Sequence, residues 1–414
     1  MTVEEVGKLV IIGQGYVGLP LAMTAVSAGY KVVGIDLDKT KIEMLTTGIS
    51  FVKDVPDDTL QAALRQEKYL ATGDYTFASG FSVAVITVPT PLRGGKPDLS
   101  FVQSAAREIA PWVTLGCTVV LESTTYPGTT EELLVPILES GSGLRAGVDF
   151  WVGYSPERID PGNPTWKIAN TTKVVSGVGE ESLRSVSDFY TSLGIPIFAV
   201  SGTREAEMSK LLENTFRHVN IAMVNELAKH SAKLGVNIWE AIEAASSKPF
   251  GFMKFTPGAG VGGHCLPIDP SYLSWAVNDT SGADLRFVAL ANEVNASMPM
   301  HVFRRAQELV ASQGIEIQNA RCLIIGLAYK SGTGDTREAP ALDLIQILLG
   351  HGTEIWATDP YVGERDWPVG VGRLHESDLR SFDLAIVITH HAGLDIQWAL
   401  NSANHVLDKQ GFFD

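Results

Sequence analysis

A cysteine and a carboxylate four residues apart, Cys265 and Asp269, end an unusual stretch: Phe255-Thr-Pro-Gly-Ala-Gly-Val-Gly-Gly-His-Cys-Leu-Pro-Ile-Asp-Pro-Ser-Tyr272. Gly258, Gly260, Gly262 and Gly263 fall within six residues and lead straight into His264 and Cys265. Glycine is used where the backbone needs positive φ or where another group must approach it closely. The spelling therefore predicts a tight loop lying against a phosphate or a sugar ring. Pro267 and Pro270 bracket Asp269 and stiffen the exit. A thiol presented on such a backbone is a candidate nucleophile. An isolated cysteine is more often a small buried packing group, and here the glycines and Asp269 favour the nucleophile.

A second constellation sits at the start of the chain. The apolar run Lys8–Ile12 ends in Gly13-Gln-Gly15-Tyr16-Val17-Gly18, a helical pattern runs to Ala28, and Lys31–Ile35 leads into Asp36. Strand, glycine turn, helix, strand and acid are the context that the G-x-G-x-x-G fingerprint requires. Gly13 allows the turn, Gly15 lets a pyrophosphate touch the backbone, and Gly18 lets the helix pack on the strand. Asp36 is placed for the adenosine ribose hydroxyls and repels a 2′-phosphate, which selects NAD over NADP.

Further strands are expected at Val83–Val88, Thr118–Glu122 and Phe150–Gly153, with helices between them. That alternation predicts a parallel doubly wound sheet with its ligand outside the carboxyl strand ends. Three segments lie at such ends: Pro89-Thr90-Pro91; Glu122-Ser-Thr-Thr125; and Ser155-Pro-Glu157-Arg158. Hydroxyls after a strand commonly cap the next helix, and Glu157 with Arg158 also fits a surface pair. Their position favours a site.

From Thr203 to about Gly235 no proline or glycine interrupts the chain. Met208, Leu212, Phe216, Val219, Met223 and Leu227 recur at the spacing of one helical face. A helix this long suggests a spine between domains or across a dimer. Lys210, Asn214, Arg217 and Asn225 fall on a different face, either as solvated surface or as the floor of a cleft. A second helical region is expected over Phe287–Gln313. The last hundred residues repeat the opening grammar, with Arg321–Gly326 as strand and turn, then a helix over Ala341–Leu349 and a strand reaching Thr358-Asp359. No G-x-G-x-x-G occurs there, so no second dinucleotide site is expected, and Lys330 and Arg337 suit phosphates or the cofactor. The expected domains are 1–202, 203–314 and 315–414.

The 414 residues carry 32 Lys and Arg against 47 Asp and Glu, a net charge of −15 that argues against nucleic acid or an anionic membrane as partner. Three cysteines are too few and too scattered for a disulfide framework or a thiolate metal site, which fits a reducing cytoplasm. No secretory signal, membrane span or repeat is expected.

Together these residues resemble the nucleotide-sugar 6-dehydrogenases, over nearly the whole chain from Gly13 to about Thr389. The most specific pieces are Gly262-Gly-His-Cys265-Leu-Pro-Ile-Asp269-Pro, Gly326-Leu-Ala-Tyr-Lys330 with Asp335-Thr-Arg337-Glu, and Lys210-Leu-Leu-Glu-Asn214. The resemblance implies an α/β protein with two Rossmann-like doubly wound domains, NAD-binding and UDP-binding, joined by a long central helix that also forms a homodimer. Ser155–Asn163 and His264 resemble the N-acetylhexosamine branch. The run Lys248-Pro-Phe-Gly-Phe with Pro257-Gly-Ala-Gly is most like UDP-N-acetylglucosamine 6-dehydrogenases, with UDP-N-acetylmannosamine enzymes the near alternative. Where the family often ends with Asp-Thr-Arg, this chain has Leu407-Asp-Lys409-Gln-Gly411, so the contact made by that arginine lacks its residue here.

Taking an alcohol to an acid removes four electrons, so one site must use NAD twice. A thiolate traps the aldehyde as a thiohemiacetal; further oxidation gives a thioester, and water releases the carboxylate. Cys265 fits the nucleophile, and Lys210 and Asn214 suit the oxyanion by resemblance and by their spacing. Asp269, Glu157 and Thr125 are the proton-handling candidates, with Glu157 preferred for thioester hydrolysis. The cofactor candidates are Gly13, Gly15, Tyr16, Val17, Gly18, Asp36, Pro89, Thr90, Thr125 and Arg337. Those for the sugar nucleotide are Glu157, Arg158, Lys210, Asn214, Arg217, Phe255, Gly258, Gly262, His264 and Lys330. No metal is expected. Two rivals remain: a two-electron hydroxyacid dehydrogenase and a non-catalytic NAD or UDP-sugar sensor.

Overall fold

The computed structural model describes residues 7–159, 163, 165–263, 266–392 and 395–413. His264 and Cys265 lie outside the described residues. The chain divides into two compact units whose boundary falls between Glu213 and Asn214.

The first unit is built on six strands: β1 (Lys8–Ile12), β2 (Lys31–Ile35), β3 (Tyr69–Thr72), β4 (Val83–Ile86), β5 (Thr118–Leu121) and β6 (Trp151–Tyr154). They pair in the order β3-β2-β1-β4-β5-β6, every neighbour parallel. The strands are near-continuous apolar runs because a parallel sheet is covered on both faces. Leu9, Ile11, Val85 and Val120 of the sheet pack with Leu19, Leu21 and Phe189 from flanking helices. The order reverses between β1 and β4, and that switch point is where a doubly wound sheet opens a ligand crevice.

The second unit carries a five-stranded sheet of β7 (Arg321–Ile325), β8 (Glu354–Thr358), β9 (Gly372–Arg373), β10 (Phe382–Val387) and β11 (Ala403–Leu407). Its order is β9-β8-β7-β10-β11, again all parallel. Cys322 and Ile324 of β7 pack with Val302, Ala306, Leu344 and Leu348 from helices. The expected single helical region Phe287–Gln313 is two helices, Arg286–Ala296 and Met298–Ala311. Pro299 stands in the first turn of the second, where a missing N–H costs nothing, whereas inside one continuous helix it would clash with the preceding turn.

One long helix, Thr203–Ser231, runs through the unit boundary. Its 29 residues span about 44 Å. A single 3₁₀ turn, Ala232–Leu234, follows and ends at Gly235 with φ +67°. Near its start Glu207 accepts from Gly128 N at 2.6 Å, Thr130 N at 2.8 Å and Thr130 Oγ1 at 2.7 Å. Burial pushes the Glu207 carboxyl up to about 7, against those hydrogen bonds. Among the described residues no helix is long and apolar enough to cross a membrane.

Candidate active site

The glycine turn after β1 is shaped by its own chain at two positions and open at the third. Gly13 has φ +97°, and a Cβ there would lie 2.7 Å from Thr87 O. A Cβ on Gly18 would lie 1.8 Å from Gly13 O, so only glycine lets the helix Gly18–Ser27 start against the strand. A Cβ on Gly15 meets nothing within 4 Å, leaving bare backbone turned to open space. Val17 caps that helix without a side-chain hydrogen bond, so no side chain competes with an anion at its positive end. Tyr16 is exposed, as is Pro89, while Thr90 is buried. The Asp36 carboxylate follows β2 and accepts from Gln14 N at 2.8 Å and Asp38 N at 3.0 Å. These residues fit a dinucleotide with an unphosphorylated ribose. Asp36→Ala is expected to raise the KM for NAD by ~10- to 100-fold, the loss of charged hydrogen bonds, while changing NADP far less. Steady-state kinetics with both cofactors check this, and equal use of NADP by the unmodified protein overturns the assignment.

Beyond β5 and β6 the first unit gathers a buried ionic cluster. Glu157 lies just past β6, and its Oε1 accepts from Ile159 N at 2.5 Å while its main-chain oxygen accepts from Lys210 Nζ at 2.5 Å. Arg158, beside Glu157 in the chain, pairs with Glu213 of the long helix, at 2.7 Å, and donates to Thr172 O at 2.7 Å. Lys173 stands between two carboxylates, 3.1 Å from Glu122 Oε1 and 3.7 Å from Glu157 Oε2. Burial, foremost, pushes the Glu122 carboxyl up. Thr125 is wholly buried and its hydroxyl donates to Thr129, while its neighbour Thr124 is half-buried.

The long helix resolves the two faces read from its sequence. The polar stripe is largely buried, with Lys210 and Asn214 each 7% exposed and Asn225 fully covered, whereas Arg217 is exposed. The apolar face is the open one: Leu212 is 58% and Leu227 56% exposed. Within the second unit Asn214 Nδ2 donates to Asp269 Oδ2 at 2.5 Å, and Asp269 opens the helix Asp269–Ser281. Asn225 links Asn295 at 3.0 Å to the amide of Gly258 at 2.9 Å. Sequence reasoning missed His218, four residues after Asn214, whose Nε2 lies 2.8 Å from Asn292 Oδ1. Burial holds that imidazole below its usual range.

The glycine loop before Cys265 packs on protein, not on open space. A Cβ on Gly262 would lie 2.5 Å from Glu338 O and 2.8 Å from the Tyr329 side chain, and one on Gly263 would strike the Tyr329 ring at 2.7 Å. Gly263 N donates to Arg337 O at 2.9 Å. These two glycines therefore seat the loop against Tyr329 of the Gly326–Lys330 turn. Gly258 is open except for Lys409, whose Cε lies 3.9 Å from where a Cβ would stand, so the departing segment Leu407–Gly411 brings a cation to this loop that sequence reasoning missed. Phe255 is half-buried, its ring 5.8 Å from that of Phe216.

The turn after β7 repeats Gly13 in Gly326, whose φ is +85°. The acid after β8 does different work here. Asp359 Oδ2 accepts from Leu327 N at 2.8 Å, Ala328 N at 3.1 Å and His391 Nε2 at 3.0 Å. Burial opposes its charge, yet the His391 bond and the backbone amides hold Asp359 below the usual carboxylate range. It pins the turn and is spent on it. The Lys330 ammonium lies 5.9 Å from the Tyr329 ring centre, and the Arg337 guanidinium engages Asp335 at 2.6 Å.

Family models match the chain in three consecutive parts. Residues 7–193 match the UDP-glucose/GDP-mannose dehydrogenase family NAD binding domain, 204–297 its central domain and 323–414 its UDP binding domain. A UDP-N-acetyl-D-mannosamine dehydrogenase of Pyrococcus horikoshii is 37% identical over 86% of this chain and 84% of its own. A UDP-N-acetyl-D-glucosamine 6-dehydrogenase of Pseudomonas aeruginosa is 33% identical over 97% of this chain and 95% of its own. The solved structure of a UDP-D-ManNAc dehydrogenase from Pyrococcus horikoshii superposes with a TM-score of 0.88, at 34% identity, covering 98% of this chain and 96% of that one. The chain belongs to the UDP-glucose/GDP-mannose dehydrogenase family, and its N-terminal part is that family's NAD-binding domain.

Proposed function

We propose that the chain oxidises the C6 alcohol of a UDP-N-acetylhexosamine to the uronic acid, with UDP-N-acetylglucosamine as the favoured sugar and UDP-N-acetylmannosamine as the alternative. One observation carries the reading: two residues a single turn apart on one helix, Lys210 and Asn214, are already bonded to Glu157 and Asp269 respectively. Lys210 meets the main-chain oxygen of Glu157, and Asn214 meets the carboxylate of Asp269. When bound, NAD accepts the electrons of each oxidation.

The chain's own residues supply the remainder. Cys265 attacks the aldehyde and holds it as a thiohemiacetal, then as a thioester. The Lys210 ammonium and the Asn214 amide stabilise oxygen that becomes anionic. Asp269 holds the Asn214 amide in orientation. Glu157 takes the proton of the water that cleaves the thioester, and Thr125 is assigned as the hydroxyl that holds that water. Lys330, Arg217, Phe255, Gly258 and His264 are assigned to the sugar nucleotide, and Arg337 to the cofactor.

The choice of N-acetylhexosamine rests on the Ser155–Asn163 segment, on His264, and on the names of the relatives, which include both epimers. A site that hydrogen-bonds an acetamido group leaves buried polar groups unpaired when the group is absent. The kcat/KM for UDP-N-acetylglucosamine is therefore expected to exceed that for UDP-glucose by ~10²-fold or more, with two NADH formed per sugar consumed. One NADH indicates a two-electron dehydrogenase, none a sensor, and a preference for UDP-N-acetylmannosamine changes the epimer alone.

We further infer three working segments, 1–202, 203–314 and 315–414, and a homodimer. The dimer reading is supported by Met208, Leu212, Phe216, Met223 and Leu227, which repeat along the helix and are open in the single chain. Light scattering is expected to give twice the chain mass at micromolar concentration, and Leu212→Glu with Leu227→Glu to give the monomer. A monomeric unmodified protein refutes it. The enzyme is assigned to the cytoplasm, where its nucleotide substrates are made, and fractionation that finds it elsewhere removes that assignment.

A further inference from the structure

Behind Glu157 lies a buried chain of polar groups that the reaction scheme above does not use. Lys173 begins the short strand Lys173–Val175 and is 5% exposed; Glu122 ends the run of β5 and is 1% exposed. The Lys173 ammonium reaches Glu122 Oε1 at 3.1 Å, Glu157 Oε2 at 3.7 Å and Pro156 O at 3.5 Å. On its far side Tyr190 donates its hydroxyl to the same Glu122 oxygen, and the ammonium lies 5.1 Å from the Tyr190 ring centre. Glu122 Oε2 is buried without a hydrogen bond.

A lysine is seldom buried this far unless paired, and leaving its charge there uncompensated is costly. Glu122 alone suffices to satisfy it. The position of Lys173 between two carboxylates, with only Glu157 near the surface, therefore does more than balance charge. It presents a cation to one oxygen of Glu157 while Ile159 N holds the other. Among the described residues, the other polar and charged groups around Glu157 do not do this. Lys210 bonds its main-chain oxygen, Arg158 is turned to Glu213, and Glu122 and Tyr190 act through Lys173.

We propose that Lys173, backed by Glu122 and Tyr190, is a positioning residue that orients the Glu157 carboxylate to serve as the base in thioester hydrolysis. This rests on the assignment of Glu157 as that base. In the step, water gives a proton to Glu157 and its oxygen bonds to the thioester carbon. The carbon–sulfur bond then breaks with its electron pair returning to Cys265 as thiolate. The carboxylic acid formed ionises, Glu157 releases its proton, and Lys173 keeps its own throughout. While Glu157 is briefly neutral, Glu122 remains to pair the cation.

The test is a set of single substitutions assayed with UDP-N-acetylglucosamine and NAD. Lys173→Met is expected to lower kcat by ~10²-fold, with the KM for the sugar nucleotide within a few-fold of the unmodified value. An acyl adduct should accumulate on the intact protein, visible by mass. Lys173→Arg should restore most of the rate and remove the adduct. If Lys173→Met does not fold, Lys173→Gln, which can still hydrogen-bond to Glu122, is scored on the same readouts. A fall in rate with no adduct overturns the proposal, as does an unchanged rate. Glu157→Gln separates the two levels: if it forms uronate normally, the base assignment fails first. If it accumulates adduct while the Lys173 variants accumulate none, the inference about Lys173 alone fails.

Discussion

Cys265→Ser is expected to abolish steady-state uronate production by several orders of magnitude while leaving NAD and UDP-sugar binding in place. Oxygen for sulfur preserves shape but presents an alcohol that is scarcely ionised near neutral pH, and hence a far weaker nucleophile. Oxidation of the alcohol to the aldehyde does not need the thiol, whereas turnover through a hydrolysable thioester does. Any acyl group that forms on the serine is an ester, which hydrolyses slowly and should appear as a mass increase on the intact protein. Supplied UDP-sugar aldehyde should also fail to turn over, which separates the defect from loss of alcohol binding. Uronate at the unmodified rate would show that Cys265 is a packing residue in a glycine turn.

The second large effect is expected at Lys210. Lys210→Met keeps the length and apolar stem of the side chain on the long helix and removes the ammonium. Loss of one preorganised donor to a developing oxyanion lowers kcat by about 10²–10³-fold, or roughly 3–4 kcal/mol of transition-state stabilisation. The KM for the sugar nucleotide should change much less, because the ground-state oxygen carries little charge. The substitution also leaves the Glu157 main-chain oxygen without its donor, so a thermal midpoint is measured beside the kinetics. A large loss of kcat at an unchanged midpoint assigns the effect to chemistry; equal losses of kcat/KM through KM alone would place Lys210 in binding and remove it from the oxyanion role. Asn214→Ala offers the companion measurement, since it leaves Asp269 without the amide that it holds.

The Rossmann grammar was legible because its causes are local. Lys8–Ile12 is apolar on both faces, Gly13 needs a positive φ, and Asp36 follows the next strand by fixed spacing. The second sheet was legible for the same reason at Arg321–Ile325 and Gly326. One local signal misled: helical periodicity over Phe287–Gln313 concealed the break at Ser297, although Pro299 was in plain view as a starting residue.

The chemistry of individual residues was readable at the same level, but their partners were not. The sequence offered Glu157 beside Arg158, and the fold gave Arg158 to Glu213 and set Lys173 against Glu157. It offered Thr125 as a water-holding hydroxyl, and the fold turned that hydroxyl to Thr129. It placed four glycines before Cys265 as if for a ligand, and the fold used Gly262 and Gly263 to admit Tyr329. Two faces of the long helix were visible as stripes, yet which one the protein buries depended on what packs there. The covered face is the polar one, through Asn214 with Asp269 and Asn225 with Asn295. Sequence by itself determined the elements, the glycine turns and the reactive residue types, because propensity and periodicity act over a few neighbouring positions. The tertiary structure alone decided which donor meets which acceptor, because buried polar groups must find partners, and those of Lys210, Asn214 and Tyr190 lie fifty or more residues away along the chain.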